Sequence, residues 1–238
     1  MKLIKVKGIV IKEINYSDND KIITVLTDSL GLISCMAKGA KKVSSTLLAS
    51  SQFLVYSEFI IFKGTNFYHV NSASTINTFY KLRTDFDKLS SVFELTKLLT
   101  VVTSEHIESK EVLTLFLNTL FVFEKMDKLY ITDIFKIRLL KILGFTPDVL
   151  KCNICNSNLK EKKINVSYNF AYNYFICSNC IKENKKVYYD MKYKTYMNVI
   201  YIMYAKENNI FGLVLDEIYQ KELKMFSEHF VGCVLANL

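Results

Sequence analysis

The sequence predicts an α+β chain of more than one domain: a β-rich amino-terminal segment of the size that closes into a small barrel, then a helical domain interrupted by a short insert. Three observations predict it. Residues 1–80 hold about five short runs of β-branched and aromatic residues separated by turn signals. From about Thr84 the apolar residues recur at spacings of three and four instead of two. Between about 149 and 187 that helical pattern stops, and two Cys-x-x-Cys pairs stand in its place. The predicted division is therefore 1–80, 81–148 joined with 188–238, and 149–187.

In the first segment Ile4 and Val6 alternate with Lys5 and Lys7, and Gly8 is expected to mark a bulge before Ile9-Val-Ile11. Lys21–Thr27 and Leu32–Ala37 read as strands around the turn Asp28-Ser-Leu-Gly31. Phe53–Phe62 and Phe67–Val70 follow, on either side of Gly64-Thr-Asn66. The continuous apolar run Phe59–Phe62 does not fix its own register. In the helical part Leu89, Phe93 and Leu99 fall near one stripe, as do Leu113, Phe116, Leu117 and Leu120. Ile131, Phe135, Leu139 and Ile142 make a third stripe, ended by Gly144 with Pro147 just beyond. Tyr193–Lys206 reads as a further helix. The last runs from about Leu215, with Tyr219, Leu223, Phe226, Phe230 and Cys233 on one face.

Composition removes several classes. Of 238 residues half are apolar, one is proline, seven are glycine and 23% are charged, which excludes collagen-like, low-complexity and disordered chains. No apolar run approaches the roughly 18 residues of a membrane span, so no membrane partner is expected. The first residues lack a signal peptide's apolar block, and a soluble cytoplasmic protein is expected.

The net charge of +8 favours a polyanionic partner. Residues 1–80 hold nine lysines against five acids, and 151–190 seven against three, whereas the remaining stretches balance. Only Arg83 and Arg138 are arginines. Lysine is a hydrated point charge, better at neutralising phosphate than at bidentate reading of bases.

Cys152-Asn-Ile-Cys155 and Cys177-Ser-Asn-Cys180 are two knuckles, each able to give two thiolates from a tight turn. One closed, structural Zn²⁺ site is predicted, because an insert of this size buries little core and gains from a metal cross-link. Disulfides or a redox pair fit a cytosolic two-knuckle chain poorly. Cys35 and Cys233 stand apart and read as packing residues. His106-Ile-Glu108 with the first knuckle superficially resembles a zinc deaminase pattern, but Pro147 is not next to Cys152 and the second knuckle would have no role. His69, His106 and His229 form no cluster, and no phosphate-binding glycine loop is present. The chain is expected not to be an enzyme.

Lys38-Gly-Ala-Lys41-Lys42 follows a strand and leads into a Ser/Thr-rich stretch. Three lysines about a glycine either form a solvated hairpin tip or track a phosphate backbone, and Lys5 and Lys7 on one face of the first strand favour the second reading. These five lysines are the candidate nucleic-acid-binding residues. Phe53, Tyr56, Phe67 and Tyr68 are candidates for base stacking or for barrel core. Lys182, Lys185 and Lys186 either extend a basic track or are a solvated exit from the insert.

Three stretches resemble the RecO family over essentially the whole chain: Lys7–Lys12 with Ser17-Asp18 and Ile22–Thr27 before Gly31; Cys35-Met-Ala-Lys-Gly-Ala-Lys-Lys42; and Phe135–Pro147 running into Cys152-x-x-Cys155. The resemblance implies an amino-terminal OB-fold, a helical domain and an inserted zinc module. It further implies a recombination mediator in DNA repair, in the bacterial cytoplasm at the nucleoid. Such a protein binds single- and double-stranded DNA, anneals complementary strands, and acts with RecR so that RecA loads on strands coated by single-stranded-DNA-binding protein. The acidic tail of that binding protein would meet the helical domain, where Arg138 and Lys141 are the matching basic residues. Two departures stand out: Asn156 replaces the usual glycine after the first knuckle, and the basic loop carries lysines only. The rival readings are a zinc-stabilised OB-fold protein that binds RNA in translation or transcription, and a scaffold for acidic proteins.

Overall fold

The computed structural model describes residues 2–105, 109–161, 166–182 and 188–238. The chain divides into two compact units, 1–127 and 128–238.

In the first unit, strands β1 (Leu3–Asn15), β2 (Lys21–Thr27) and β3 (Leu32–Ala37) are followed by the short helix α1 (Leu47–Ser50), then β4 (Tyr56–Lys63) and β5 (Tyr68–Asn77). The strands close in the order β1-β2-β3-β5-β4, with β1 pairing both β2 and β4 and only β3–β5 parallel. This is an OB-type barrel. Side chains of period two fill it: Val6 and Val10, Ile23 and Val25, Ile33 and Cys35, Phe59 and Ile61, Tyr68 and Val70. That packing decides the register of the Phe59–Phe62 run, for Ile60 and Phe62 are left half-buried.

Gly8 is not a bulge. The register shift of β1 lies between Val10 and Lys12. Gly8 instead marks a close approach, since a Cβ there would stand 2.6 Å from Val25 Cγ1 and 2.8 Å from the Leu26 carbonyl. β5 also runs on to Asn77, beyond the apolar run that signalled it, because its polar half pairs with β4 through backbone bonds.

Helices α2 (Tyr80–Thr84), α3 (Phe86–Val102) and α4 (Lys110–Lys125) complete the unit. Secondary structure changes character at residue 80, but the compact unit continues to 127. The α3–α4 connection is fastened to the β2–β3 turn: Leu32 N–H donates to Ser104 O (3.1 Å), and the Ser109 hydroxyl to Thr27 O (2.6 Å). Asp85 caps α3 by accepting from Lys88 N–H at 3.1 Å. The face that α3 buries is Val92, Leu95, Leu98 and Leu99, so of the expected stripe Leu99 is core, Leu89 is half-buried and only Phe93 is turned outward. Both stripes satisfy helical spacing, and packing chose between them.

The second unit holds α5 (Ile131–Ile142), β6 (Val166–Asn169), β7 (Tyr174–Cys177), α6 (Ser178–Lys182), β8 (Tyr189–Met191), α7 (Tyr193–Tyr204), a 3₁₀ turn (Glu207–Gly212) and α8 (Glu217–Leu235). Gly144 (φ +86°) ends α5, with Phe145 N–H donating to Leu140 O and Gly144 N–H to Lys141 O, the two bonds of a Schellman stop. The sheet order is β7-β6-β8. β8 is too short to be read from sequence, and it carries the insert's sheet past residue 187. The insert also buries more core than its length suggests. Tyr168 meets Phe226 of α8 at 5.0 Å and Phe175 meets Tyr196 of α7 at 5.8 Å, so its sheet shares an aromatic core with the helices.

Two predictions follow from these contacts. Gly8→Ala forces Val25 and the β2 backbone apart and is expected to destabilise the chain by about 1–3 kcal/mol, read from the denaturant midpoint. Asp133 on α5 is buried and accepts a hydrogen bond from Ser227 on α8. Burial holds its pKa up at about 6 against the opposing pull of that bond and of Lys136 and Lys224, with Glu228 adding to the rise. The folded state therefore keeps a proton that the unfolded chain releases near pH 4. The stabilisation is full below about pH 4 and is lost as pH rises through 6. Relative to Asp133→Asn, wild-type stability should fall by about 3 kcal/mol between pH 4 and 7 in denaturant titrations; parallel curves would refute it.

Candidate metal centre and basic surface

The first knuckle is a tight hairpin. Cys152 N–H donates to Ser157 O and Asn156 N–H to Cys152 O, both at 2.9 Å, and Lys151 bridges to Asn158. Asn156 sits at φ +57°, a left-handed conformation that asparagine tolerates better than most side chains. The departure from glycine thus leaves the turn intact. Asn153 N–H donates to Phe175 O at 3.0 Å, tying this knuckle to β7, whose last residue is Cys177. Cys180 follows on α6.

These elements bring together Cys152, Cys155, Cys177 and Cys180, with all four sulfurs within 4.8 Å of one another. Cys155 and Cys177 Sγ are 3.8 Å apart, and Cys177 N–H points at Cys152 Sγ from 3.4 Å. Hydrogen bonds from the side chain and backbone of Ser157, with help from Cys180 and Cys152, bring the exposed Cys155 thiol down to about 6. At Cys177 burial pushes up, but the backbone N–H groups of Cys180 and Asn179 outweigh it and the thiol is lowered. Cys180 is pushed the other way, first by burial and then by its sulfur neighbours. Four thiolates so close repel one another unless a cation sits among them. The quartet has the donor chemistry and the spacing to hold a metal ion.

The remaining cysteines are apart from this cluster. Cys35 lies in the barrel core, its thiol pushed up to about 12 by burial and then by Glu105. Cys233 is only half-buried and donates to Phe170 O, so it is less a core residue than its helix stripe implies.

The loop after β3 is held against the β1–β2 connection. Gly39, at φ +69°, donates to Asp20 Oδ1 at 2.7 Å, Lys41 N–H to Asn19 O at 3.0 Å, and Lys41 Nζ to Ser17 O at 3.1 Å. Lys38 and Lys42 are exposed and have no ion pair with a described residue. Lys5 and Lys7 both face outward on either side of buried Val6, and Lys5 pairs with Glu58 on β4 at 2.9 Å. Such exposed pairs are worth little, and a phosphate can displace the carboxylate.

Among the aromatic candidates Tyr68 is core, while Tyr56 and Phe67 are half-buried. Phe53 is half-buried and stacks on Phe93 of α3, a partner that sequence reasoning assigned to the core. On α5, Arg138 Nη1 donates to Ile202 O (3.1 Å) and to Met203 O, closing the carbonyl end of α7. Lys141 is half-buried. His106, Glu108, Lys185 and Lys186 lie outside the described residues, as does the side chain of Lys182. No helix among the described residues is long and apolar enough to cross a membrane.

Two family models match this chain. "Recombination protein O N terminal" covers residues 1–79 and "Recombination protein O C terminal" residues 83–237. Proteins named DNA repair protein RecO are similar throughout. That of Acetivibrio thermocellus is 35% identical over 97% of this chain and 91% of its own length. That of Caldicellulosiruptor bescii is 28% identical over 99% and 94%, and that of Clostridium perfringens 26% identical over 100% and 95%.

Proposed function

The chain belongs to the RecO family of DNA repair proteins, and from that premise we propose that it is a fuel-free recombination mediator. In this reading it binds single- and double-stranded DNA, anneals complementary strands, and acts with RecR so that RecA loads on strands coated by single-stranded-DNA-binding protein. The observation that carries the reading is the loop of Lys38, Lys41 and Lys42, fastened to an OB-type barrel with two of its ammonium groups exposed and without an ion pair among the described residues.

Electrostatics supplies the mechanism. Lysines on the barrel neutralise phosphates and release counterions, which drives binding without regard to sequence. Two strands held on one chain have a raised effective concentration, so pairing accelerates without a catalytic residue or a nucleotide. Lys5 and Lys7 extend the same contact along β1. For the acidic tail of the strand-coating protein, Lys141 has the freer ammonium, since Arg138 is bonded to the end of α7.

The metal of the quartet is proposed to be Zn²⁺, one per chain. Four thiolates at about 2.3 Å from zinc stand about 3.8 Å from one another, which is the Cys155–Cys177 separation. Bound zinc would supply a cross-link and charge neutralisation. The four cysteines close the knuckles at one end of β7, whose sheet is packed against α7 and α8 by Tyr168 and Phe175. Its role is scaffold, not chemistry.

Metal analysis is expected to give one zinc per chain. Cys152→Ser should release it and raise hydrogen exchange across the insert, whereas a variant that keeps its zinc would remove Cys152 from the site. For DNA, Lys38→Gln with Lys42→Gln should make the plot of log K against log[salt] shallower by about 1.5–2. Adding Lys41→Gln should change it less, because that ammonium already bonds the Ser17 carbonyl. An unchanged slope takes the loop out of the interface. The mediator reading itself is tested by annealing of complementary strands, bare and coated. Failure to accelerate either would overturn it.

A further inference from the structure

Between the barrel and the outward face of α3 lies a groove of about 420 Å³, lined among others by Lys12, Phe53, Phe93 and Lys97. A second groove of about 500 Å³, with Phe86 and Leu89, adjoins it and shares Phe93 and Lys97. All of these residues belong to the first unit. Phe86, Phe93 and Lys97 are seven and four residues apart and so lie along one side of the helix. Phe86 is 82% exposed and Phe93 45% exposed.

One face of Phe93 is already taken. Phe53 stacks on it with ring centroids 4.5 Å apart and planes 8° from parallel. The pair fixes the orientation of Phe93, and much of its surface is still open. A rigid, flat ring at a groove wall is a place where another flat π-system can continue the stack.

The charges beside it have one sign available. Glu13 Oε2 accepts from Lys21 Nζ at 2.5 Å, and its other oxygen accepts from Phe53 N–H at 3.4 Å, so this carboxylate is engaged. Glu94 is not free either. Lys12 and Lys97 are exposed and have no ion pair with a described residue. The groove therefore offers a ring face flanked by two ammonium groups that have no ion pair among the described residues, which is the complement of a base flanked by phosphates.

We propose that Phe93, backed by Phe53, is a stacking platform for an unpaired base of single-stranded DNA, with Lys12 and Lys97 holding the adjacent phosphates. The proposal rests on the DNA-binding reading and deepens it by naming a second contact, apart from the lysine loop. It selects single strands, because duplex bases are stacked on one another and present no free face. An acidic peptide is the less suited occupant. Its carboxylates would meet the two lysines, but only a nucleotide strand alternates anions with flat π-systems that can continue the Phe53–Phe93 stack.

The chain contains no tryptophan, so Phe93→Trp in the full-length protein is a unique reporter. Its fluorescence should be quenched by a thymidine homo-oligomer in step with binding, followed independently by anisotropy of an end-labelled strand. An abasic oligomer of the same length should bind without quenching. Phe93→Ala should bind the thymidine oligomer about 5- to 100-fold more weakly and the abasic oligomer unchanged. Phe93→Tyr should restore the difference. An unquenched tryptophan on a protein that anisotropy shows to be saturated would overturn the platform and leave DNA binding standing. Absence of any anisotropy change with the wild-type chain would overturn both. Quenching by an acidic peptide with an apolar end, and none by the oligomer, would assign the groove to a protein partner instead. If Phe93→Ala fails to fold, the tryptophan variant alone decides the matter.

Discussion

The constraint on which the first unit depends is the double pairing of β1. This strand closes the barrel by bonding β2 on one edge and β4 on the other, so no position along its paired length is free to shift. Closure places Gly8 where only a hydrogen fits against Val25. Alternation then points Lys5 and Lys7 to solvent while Val6 and Val10 enter the core. The extra residue between Val10 and Lys12 changes the phase of that alternation at the point where β1 approaches Phe53 and α3. One strand thus presents two surfaces of different chemistry, a lysine row before the bulge and an aromatic groove after it.

The second unit depends on a different device. Its three-stranded sheet is small, and only 3–4 residues per strand are paired. The sulfur quartet fixes one end of β7, and the rings of Tyr168 and Phe175 bury the sheet against α7 and α8. The sulfur quartet and the aromatic core act on the same strand. Loss of the proposed metal would therefore loosen the knuckles first and the sheet only in part, since the ring contacts do not pass through sulfur.

How much of this was legible in the sequence varied with the physics involved. β2 and β3 were readable to the residue, because β-branched runs between turn signals have few alternatives. The quartet was readable because ligand chemistry depends on spacing, and the spacing is local. The polar half of β5 was not, as Asn71–Asn77 is held by backbone bonds that leave no apolar pattern. Nor was the outward turn of Phe93, since Val92, Leu95 and Leu99 offer α3 an equally good stripe and only the packed structure selects it. The pairing of Lys5 with Glu58 and of Lys21 with Glu13 was equally hidden. Both depend on strand register, which alternation alone does not determine.

The allocation of the basic groups limits what kind of DNA recognition the proposed function could use. Both arginines are already committed to structure: Arg83 Nη2 donates to Gln52 Oε1 at 2.7 Å, and Arg138 closes the end of α7. Bidentate reading of a guanine edge needs a free guanidinium, and neither arginine presents one whole. Several lysines are likewise engaged with Glu58, Glu13, Asp127, Glu222 or Asp216. On the barrel side, Lys7, Lys12, Lys38, Lys42 and Lys97 have no such partner among the described residues. They are point charges, with the stacked Phe53–Phe93 pair beside two of them. Point charges grip any phosphate and ring faces take any base, so the surface is suited to strands whose sequence is not known in advance. The strand pairing proposed above would require that indifference.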